Sequence, residues 1–291
     1  METIGKFKQW SFLAGHNKIR STNNRAIRND KGHLVEDYLD LATKVAELQF
    51  KNRDYMLLFR GQNKDYHVSN DLTSTLRPSL FRSESITPKD IGWSDHLIVQ
   101  YQKLKLAERI LLETFERKDN ENIEFIKRHR IIQWAILQHY EVCDTPLLDV
   151  TQSLRSAASF ASNGNTTNTA FLYVIGIPNL GGAITVSAEA GLQILRLSSV
   201  CPPKALRPHI QEGYLLGEYP DMPDFSQKRL YKAFEIDFGR RLIAKFCFNP
   251  KTFWKKDAFP KIKKADLFPD SDDPYYKASQ IIKNNLKGNG N

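Results

Sequence analysis

One short stretch near residue 60 constrains the fold of this chain more than any other segment. Five apolar residues, 55–59, run directly into Arg60, Gly61 and Gln62. An apolar run bounded by polar residues predicts a buried strand, with Arg60 at its end and at the edge of the core. A guanidinium on a rigid strand suits bidentate binding of a phosphate or carboxylate, and a glycine allows a sharp turn or a close approach to a ligand. The alternative is an arginine that caps the strand and pairs with a surface acid.

The composition is that of an ordinary globular protein. The chain has 291 residues, of which 41% are hydrophobic and 26% charged, enough for one large domain or two small ones. No apolar run approaches the roughly 20 residues of a membrane helix, and residues 1–6 lack the pattern of a signal peptide. Three scattered cysteines without a CxxC spacing, and histidines without ligand spacing, argue against disulfides and metal. We therefore expect a cytoplasmic protein with no metal and no membrane association.

Positive charge is concentrated toward the C-terminal end. The net charge is +9, and residues 228–291 hold 15 Lys or Arg against 7 Asp or Glu, an excess of eight positive charges. Lysines interleave there with aromatic residues, a pattern typical of nucleic-acid-binding surfaces; a solubilising tail is the alternative. The candidate nucleic-acid-binding residues are Lys255, Lys256, Lys261, Lys263 and Lys264.

Helical patterns dominate the first half of the chain and strand patterns the second. This order of elements predicts an α+β domain. Apolar residues recurring with helical spacing, and short apolar runs bounded by polar turns, define the elements. The predicted helices are 34–48, 88–116, 122–140, 153–161 and 275–286, and the predicted strands are 55–59, 147–151, 170–177, 213–216 and 241–248.

Three groups of motifs, in matching order and spacing across 55–217, resemble the FRG-domain family, named for its Phe-Arg-Gly motif. The groups are Phe59-Arg60-Gly61-Gln62 with 76–82; Leu137-Gln138-His139-Tyr140 with 147–153 and 157–161; and Pro203 with 207–214. The sequence departs from the family pattern at three places, one of which is Cys143-Asp144-Thr145-Pro146 in place of a Pro-Thr-Arg-like turn. Glu141 replaces the usual Gly after the His-Tyr pair, and Val150 stands where Trp is common. The turn before the 147–151 strand is therefore expected to differ in shape.

The layout also resembles, more remotely, the ADP-ribosyltransferase fold. Enzymes of that fold carry an Arg on an early strand, a Ser/Thr-containing strand running into a helix, and a Glu or Gln at a later strand. Arg60, 151–153 and 211–212 occur in that order. The resemblance implies an ADP-ribosyltransferase-like split β-sheet core with N-terminal helices and a helical insertion. The implied organisation is a helical segment at 1–54, an FRG/ADP-ribosyltransferase-like domain at 55–250 and a basic extension at 251–291.

The same resemblance implies NAD as cofactor. Arg60 would anchor a phosphate or the nicotinamide-side ribose, and Thr151 would support Arg60 or position that ribose. His139 would donate to a ribose hydroxyl, and Tyr140 would stack on nicotinamide. The implied cofactor-binding residues are Arg60, Gly61, Gln62, His139, Tyr140, Thr151 and Ser153.

Structural roles compete with these assignments. His139 follows a helical run and would also suit the C-terminal end of a helix. Thr151 would also serve as the N-cap of the helix that follows. Asp149 lies inside an apolar strand, where an isolated carboxylate is expensive, so pairing with a buried arginine is favoured over orienting a catalytic group.

The catalytic polar residue has two main candidates, Gln211 and Glu212, and a weaker one, Glu218. Gln211 occupies the position that the family pattern gives to this residue, but its amide carries no negative charge. Side chains alternate in a strand, so without a bulge only one of the two would enter the cleft. If neither does, both simply begin a surface strand. The catalytic set is therefore Arg60, Thr151, Gln211 and Glu212, with the last two left open.

The resemblance implies an NAD-dependent ADP-ribosyltransferase, and the basic C-terminal part favours a nucleic-acid acceptor, RNA or DNA. Such enzymes often serve as toxins or phage-defence effectors, which implies an acidic antitoxin or inhibitory partner. The rival hypothesis is a non-catalytic module that holds a nucleotide or nucleic acid in the Arg60 cleft. A glutamine in place of a catalytic glutamate is what that rival predicts.

Overall fold

The structure, a computed structural model, describes residues 8–67, 72–83, 92–117, 123–179, 181–230, 237–254, 259–270 and 272–288. Its strands are β1 (Gln9–Ser11), β2 (Arg20–Thr22), β3 (His33–Leu34), β4 (Met56–Gln62), β5 (Leu148–Thr151), β6 (Ala170–Ile177), β7 (Ile184–Ser187), β8 (Leu192–Arg196), β9 (Gly213–Glu218) and β10 (Leu242–Phe248). Its helices are α1 (Asn24–Asn29), α2 (Tyr38–Lys51), α3 (Trp93–Glu116), α4 (Ile123–Arg128), α5 (Arg130–His139), α6 (Leu154–Ser162), α7 (Leu197–Val200), α8 (Leu206–Ile210), α9 (Phe225–Lys228), α10 (Lys264–Leu267) and α11 (Pro274–Gly288).

A single large mixed sheet organises the described residues. Its strand order is β3-β10-β6-β4-β5-β9-β8-β7, and β1 pairs with β2 in a separate hairpin. Only the edge pair β3–β10 is parallel, and the other neighbours in the large sheet run antiparallel. Helices and a large sheet together make an α+β fold, so the predicted α+β class is confirmed, whereas the ADP-ribosyltransferase-like core stays a prediction.

The strand β4 lies at the centre of the core, as its apolar run predicts. Leu57 and Phe59 pack with residues of α2 and α6, whereas Leu58 joins a second apolar cluster with β5 and β6. All three side chains are buried. Because successive side chains of a strand point to opposite faces, a strand buried on both faces needs apolar residues in succession.

The helices cover the sheet in two groups. One group, α2 and α6, shares an apolar cluster with β4, β6 and β10. The other, α3, α5 and α11, shares a cluster that reaches β9 through Leu215. The last helix, α11, packs against α3 through residues that include Tyr275 and Ile282. The C-terminal residues 272–288 are therefore part of the folded body.

The predicted helix over 34–48 begins later than expected. His33 and Leu34 instead form β3, which pairs with Phe246 and Cys247 of β10. The helix starts at Tyr38 because the side chain of Asp37 accepts a hydrogen bond from the Asp40 amide and caps it. The apolar period alone did not distinguish an edge strand from the first turn of the helix.

The predicted helix over 122–140 is two helices, with residue 122 outside the described residues. His129 has extended backbone angles and separates α4 from α5. Two side chains compensate for the break: His129 Nδ1 lies 2.9 Å from the Phe125 carbonyl oxygen, and Gln133 donates to the Ile126 carbonyl at 2.9 Å. The start of the predicted 88–116 helix, 88–91, also lies outside the described residues, and α3 begins at Trp93.

The strand predictions for the second half are confirmed to within two residues at each end. Two strands, β7 and β8, were missed, and the segment that would lead into β9 is not a strand. Residues 206–210 form α8, and residues 211 and 212 lie in a turn.

No helix within the described residues combines the length and apolarity needed to cross a bilayer. Nor do these residues contain a group of three or more His, Cys, Asp or Glu able to hold a metal ion.

Candidate functional site

The central sheet is weakly joined between β4 and β5. A single residue pair, Phe59 with Thr151, connects these strands, whereas β4 pairs with β6 along its whole length. A cavity of about 440 Å³ lies beside this junction, lined by residues 59–63 of β4 and its end, and by residues 149–151 of β5. The site is thus an opening between two halves of the sheet.

Arg60 spans this opening. Its Nη1 donates a hydrogen bond to the backbone carbonyl of Asp149. In a continuous β-ladder between β4 and β5, a backbone amide would be the donor instead. Its Nε has no hydrogen-bond partner among the described residues. Burial, and then the nearby positive charge of Arg82, lowers the pKa of Arg60 to about 10, so the group stays charged at neutral pH. A half-buried guanidinium with a buried, unused donor indicates a site prepared for a polar or anionic ligand.

Arg82 places a second guanidinium in the same cavity. It donates from Nε to the Arg77 carbonyl at 2.7 Å, which fixes the stem of the side chain. Arg82 is exposed as a residue, but partial desolvation of its guanidinium lowers its pKa, and the carboxylate of Asp149 offsets part of that effect. Two like charges near one cavity repel each other, and an anion between them would remove that repulsion.

Asp149 brings a carboxylate to the cavity from the middle of β5. Its Oδ2 accepts a 2.6 Å hydrogen bond from Gln138, and its Oδ1 lies 3.9 Å from His139 Nδ1. Burial alone would raise the pKa of Asp149, but its interaction with nearby His139 and the positive charge of Arg60 hold it below its usual value. The predicted pairing with an arginine is therefore indirect: Arg60 binds the main chain of Asp149 and acts on its carboxylate through charge.

Thr151 and Gln211 meet at the floor of the cavity. The Thr151 hydroxyl donates to the Gln211 carbonyl at 2.7 Å and accepts from the Ser153 amide at 2.9 Å. Thr151 therefore ties β5 to the turn before β9 and is not the N-cap of α6, because Ser153 accepts from Ser156 in that role. We call Arg60, Asp149 and Thr151 the strand wall.

The C-terminal segment also contributes to the cavity. Phe268 lines the cavity, and the Leu267 carbonyl accepts a 2.7 Å hydrogen bond from the Gln211 side chain. Asp270, two residues on, forms an ion pair with the buried Arg207, whose Nε donates to it at 3.0 Å. We call Leu267, Phe268 and Asp270 the C-terminal wall. The sequence indicated only a basic extension here and gave no sign that it contributes to the site.

Residues 55–170 match the family model of the FRG domain. The chain contains an FRG domain. The family predicted from the motifs is thereby confirmed. No curated protein and no solved structure matches the chain significantly.

The FRG domain supplies the strand wall but not the whole cavity. Arg60, Asp149 and Thr151 fall within the matched range, as do Gln138 and His139. Gln211 and the C-terminal wall lie beyond it. The matched range 55–170 therefore accounts for part of the cavity lining, and Gln211, Gly213, Tyr214 and Phe268 complete it.

The glycine of the Phe-Arg-Gly motif is required by helix packing. A Cβ atom built on Gly61 would lie 1.8 Å from the carbonyl oxygen of Ala157 in α6. Ala157 and Ala161 are fully buried against β4, where their small side chains allow close packing. Gly61 lines the cavity, but its lack of a side chain serves the approach of α6, not the turn or ligand approach that the sequence suggested.

Glu141 is held in an unusual conformation at the cavity. Its φ is 53°, in the left-handed region where an L-residue with a side chain is strained. This geometry explains why a glycine is usual at that position of the FRG motif. Glu141 is exposed and lines the cavity, so a carboxylate stands at the edge of the site where the family typically has none.

Three predicted site residues are not among those that line the cavity. Glu212 is exposed, with φ 47°, in the turn after α8, so the alternation expected of a strand does not apply. Tyr140 is buried in the helical core, where its hydroxyl donates to Asp273 at 2.8 Å and its ring stacks on Tyr275. The Ser153 hydroxyl is occupied as the N-cap of α6. By contrast, the Gln211 side chain does line the cavity.

Gln62 and His139 line the cavity as predicted. His139 is the last residue of α5 and is buried, so the structural and the binding interpretations coexist. Within the part of the chain that the structure describes, Gln62 Oε1 and His139 Nε2 are buried atoms without a hydrogen-bond partner. A buried polar atom left unpaired costs about 1–3 kcal/mol, which a ligand with complementary groups would recover.

The basic candidates are only partly within the described residues. Lys255 and Lys256 lie outside them. Lys261, Lys263 and Lys264 are exposed on the segment that wraps α6 and continues directly into the C-terminal wall. Their positive charge therefore lies on the same short segment as Phe268.

Proposed function

We propose that this protein is an NAD-dependent ADP-ribosyltransferase. The observation that carries the proposal is that Arg60, Thr151 and Gln211, far apart in the sequence, line one cavity beside a second arginine, Arg82. Two guanidinium groups suit a diphosphate. The unpartnered polar atoms of Arg60, Gln62 and His139 suit a ligand rich in hydrogen-bonding groups.

The aromatic side chains of the cavity fit the remainder of such a ligand. Phe160 and Phe268 line the cavity with their rings 5.9 Å apart and nearly perpendicular. Aromatic rings of this kind stack on the flat faces of nucleobases and of nicotinamide. A mixed lining of arginines, amides and aromatic rings is therefore consistent with a dinucleotide that combines phosphates, riboses and two planar ring systems.

ADP-ribose transfer breaks the N-glycosidic bond of NAD through a transition state with oxocarbenium character. In this cavity Arg60 and Arg82 would hold the diphosphate and Gln211 would orient the ribose. The Thr151 hydroxyl donates a hydrogen bond to the backbone carbonyl of Gln211, so the role of Thr151 is to position the turn at residues 211–212. Binding and orientation of this kind account for much of the rate acceleration in such reactions.

The acceptor that we propose is a nucleic acid. Lys261, Lys263 and Lys264 give the segment next to Phe268 the charge needed to bind phosphates. A cytoplasmic enzyme that modifies RNA or DNA in this way would act as a toxin or phage-defence effector and would require an acidic inhibitory partner. Changing the three lysines to glutamate would lower transfer to nucleic acid while leaving NAD hydrolysis by water unchanged; Lys277→Glu and Lys287→Glu on α11 provide the control.

The second candidate function is a non-catalytic module that binds a nucleotide or nucleic acid in the same cavity. The observation that favours it is the amide of Gln211, since its Nε2 donates to the Leu267 carbonyl and its position carries no negative charge. Binding without cleavage would be the signature of this alternative.

Incubation with labelled NAD and separate pools of RNA, DNA and protein distinguishes the two functions. The enzyme hypothesis predicts label transfer to nucleic acid and released nicotinamide, both lost in Arg60→Ala and retained in Arg128→Ala, an exposed arginine at the end of α4. Retained transfer in Arg60→Ala would remove Arg60 from the mechanism. NAD binding without any cleavage would favour the binding module.

A further inference from the structure

The cavity contains a carboxylate that the sequence comparison with ADP-ribosyltransferases did not identify as catalytic. We propose that Asp149 is the catalytic carboxylate of this site and lies against the nicotinamide-side ribose of the bound NAD. This inference rests on the proposed function and assigns a role that neither Gln211 nor Glu212 can fill. Gln211 lacks the charge, and Glu212 is exposed in a turn and not among the residues that line the cavity.

Asp149 is held in place by a chain of hydrogen bonds that fixes its role as an acceptor. The Leu147 amide donates to Thr145 Oγ1 at 3.2 Å, so that hydroxyl directs its proton to Gln138 Oε1 at 2.6 Å. Ser79 approaches the same Gln138 oxygen at 3.4 Å. With its oxygen occupied, the Gln138 amide presents its NH₂ group to Asp149 Oδ2 at 2.6 Å.

The position of Asp149 relative to Arg60 also favours this role. Arg60 donates a hydrogen bond to the backbone carbonyl of Asp149. The guanidinium that would bind phosphate is therefore held by the same residue of β5 that carries the carboxylate. The Asp149 side chain is nevertheless 42% exposed, which leaves it accessible to a ligand in the cavity. A charge that is both anchored and accessible is what electrostatic stabilisation of a transition state requires.

Glu141 is the other carboxylate among the described residues that line the cavity. It lies in a turn with a left-handed backbone and is exposed at the edge of the site. Asp149 is on a central strand that pairs with β9 along all four of its residues. Because catalytic groups act best from rigid elements, Asp149 is the better placed of the two.

The chemical step balances without a further reactant. The bond between C1′ of the ribose and the nicotinamide nitrogen breaks, and its electron pair leaves with neutral nicotinamide. The positive charge that develops on the ribose is stabilised by ionised Asp149 without a covalent bond. An oxygen or nitrogen of the acceptor forms the new bond to C1′ and releases its proton to water. NAD⁺ and the acceptor H–X thus give ADP-ribosyl–X, nicotinamide and H⁺.

The test compares Asp149→Asn with Glu212→Gln in the full chain, measuring NAD cleavage and NAD affinity separately. We expect Asp149→Asn to lose about 100-fold or more in kcat with its Kd within about threefold, and Glu212→Gln to stay close to the wild-type protein. Wild-type kcat in Asp149→Asn would overturn the role of Asp149 while the proposed function stands. A folded wild-type protein that does not cleave NAD would overturn both.

A second variant separates the carboxylate's chemistry from its structural contacts. Asp149→Ala removes the side chain and makes room for a small carboxylate, so added formate is expected to restore NAD cleavage in this variant and not in Arg60→Ala. A merely structural role for Asp149 would not respond to formate. Failure of formate to restore any activity in a folded Asp149→Ala protein would count against the assignment, and circular dichroism establishes that each variant is folded.

Discussion

The two walls of the cavity are built in different ways. The strand wall is held by β-sheet pairing and by hydrogen bonds between residues of β4, β5 and the end of α5. The C-terminal wall has no sheet partner and is held by side chains, above all the Arg207–Asp270 ion pair and the Gln211–Leu267 hydrogen bond. The difference teaches that the strand wall supplies charged groups at fixed positions, whereas the C-terminal wall helps to enclose the cavity.

A steric clash with the backbone next to the strand wall is expected to lower the stability of the protein most. In Gly61→Ala the new Cβ would meet the Ala157 backbone carbonyl at 1.8 Å, so β4 and α6 must separate. We expect a loss of about 3 kcal/mol or more in the free energy of unfolding, measured by urea denaturation. Gly181→Ala is the matched control, since its Cβ would have no neighbour within 4 Å. Equal stability of the two variants would contradict the packing described here.

Removing a buried charge that holds the C-terminal wall is expected to lower both stability and NAD affinity. Arg207 is almost fully buried, and its guanidinium also lies over the rings of Tyr140 and Phe268. Arg207→Ala would leave Asp270 without its partner, and we expect a loss of about 2 kcal/mol in unfolding free energy together with weaker NAD binding. Arg155→Ala, which removes a hydrogen bond to the Pro260 carbonyl, should cost much less. Unchanged NAD affinity in Arg207→Ala would show that this wall is not part of the site.

A subtler change removes one ring from the C-terminal wall. Phe268→Ala deletes an aromatic face of the cavity, and we expect the Kd for NAD to rise about tenfold. The charges of the strand wall remain in place, so kcat should change little. Phe259→Ala in the same segment, at a ring that is 40% exposed and packs on Tyr38, should leave the Kd unchanged. Equal effects of the two variants would argue against stacking on Phe268.

The smallest expected effect is a pH dependence of stability that arises from Asp149 in the strand wall. The pKa of Asp149 is lowered, so its contribution to stability is present above the usual aspartate pKa of about 3.9 and is lost as the pH falls through the lower folded value. Between pH 5 and pH 3 the wild-type protein should therefore lose more stability than Asp149→Asn, as measured by urea midpoints. Parallel losses would place the carboxylate in an unperturbed environment.

The sequence predicted the strand wall because its signals are local. The apolar run before Arg60, the 147–151 strand and the small residues of α6 each fit one element, and the motifs joined them in the correct order. The turn at Gln211 and Glu212 was mistaken for a strand because nothing within those residues shows that Thr151 holds their carbonyls in place.

The C-terminal wall could not be predicted because it depends on contacts between distant residues. Arg207 and Asp270 are 63 positions apart, and Gln211 and Leu267 are 56 apart. Each residue alone resembles a surface residue of its type. The buried position of Tyr140 has the same origin, since its partners Asp273 and Tyr275 come from the end of the chain.

A crystal structure of the protein with a non-hydrolysable NAD analogue tests the central claim most directly. The account predicts the diphosphate on Arg60 and Arg82 at about 2.7–2.9 Å, with the nicotinamide-side ribose against Asp149. The analogue bound elsewhere, or absent from this cavity at saturating concentration, would contradict it.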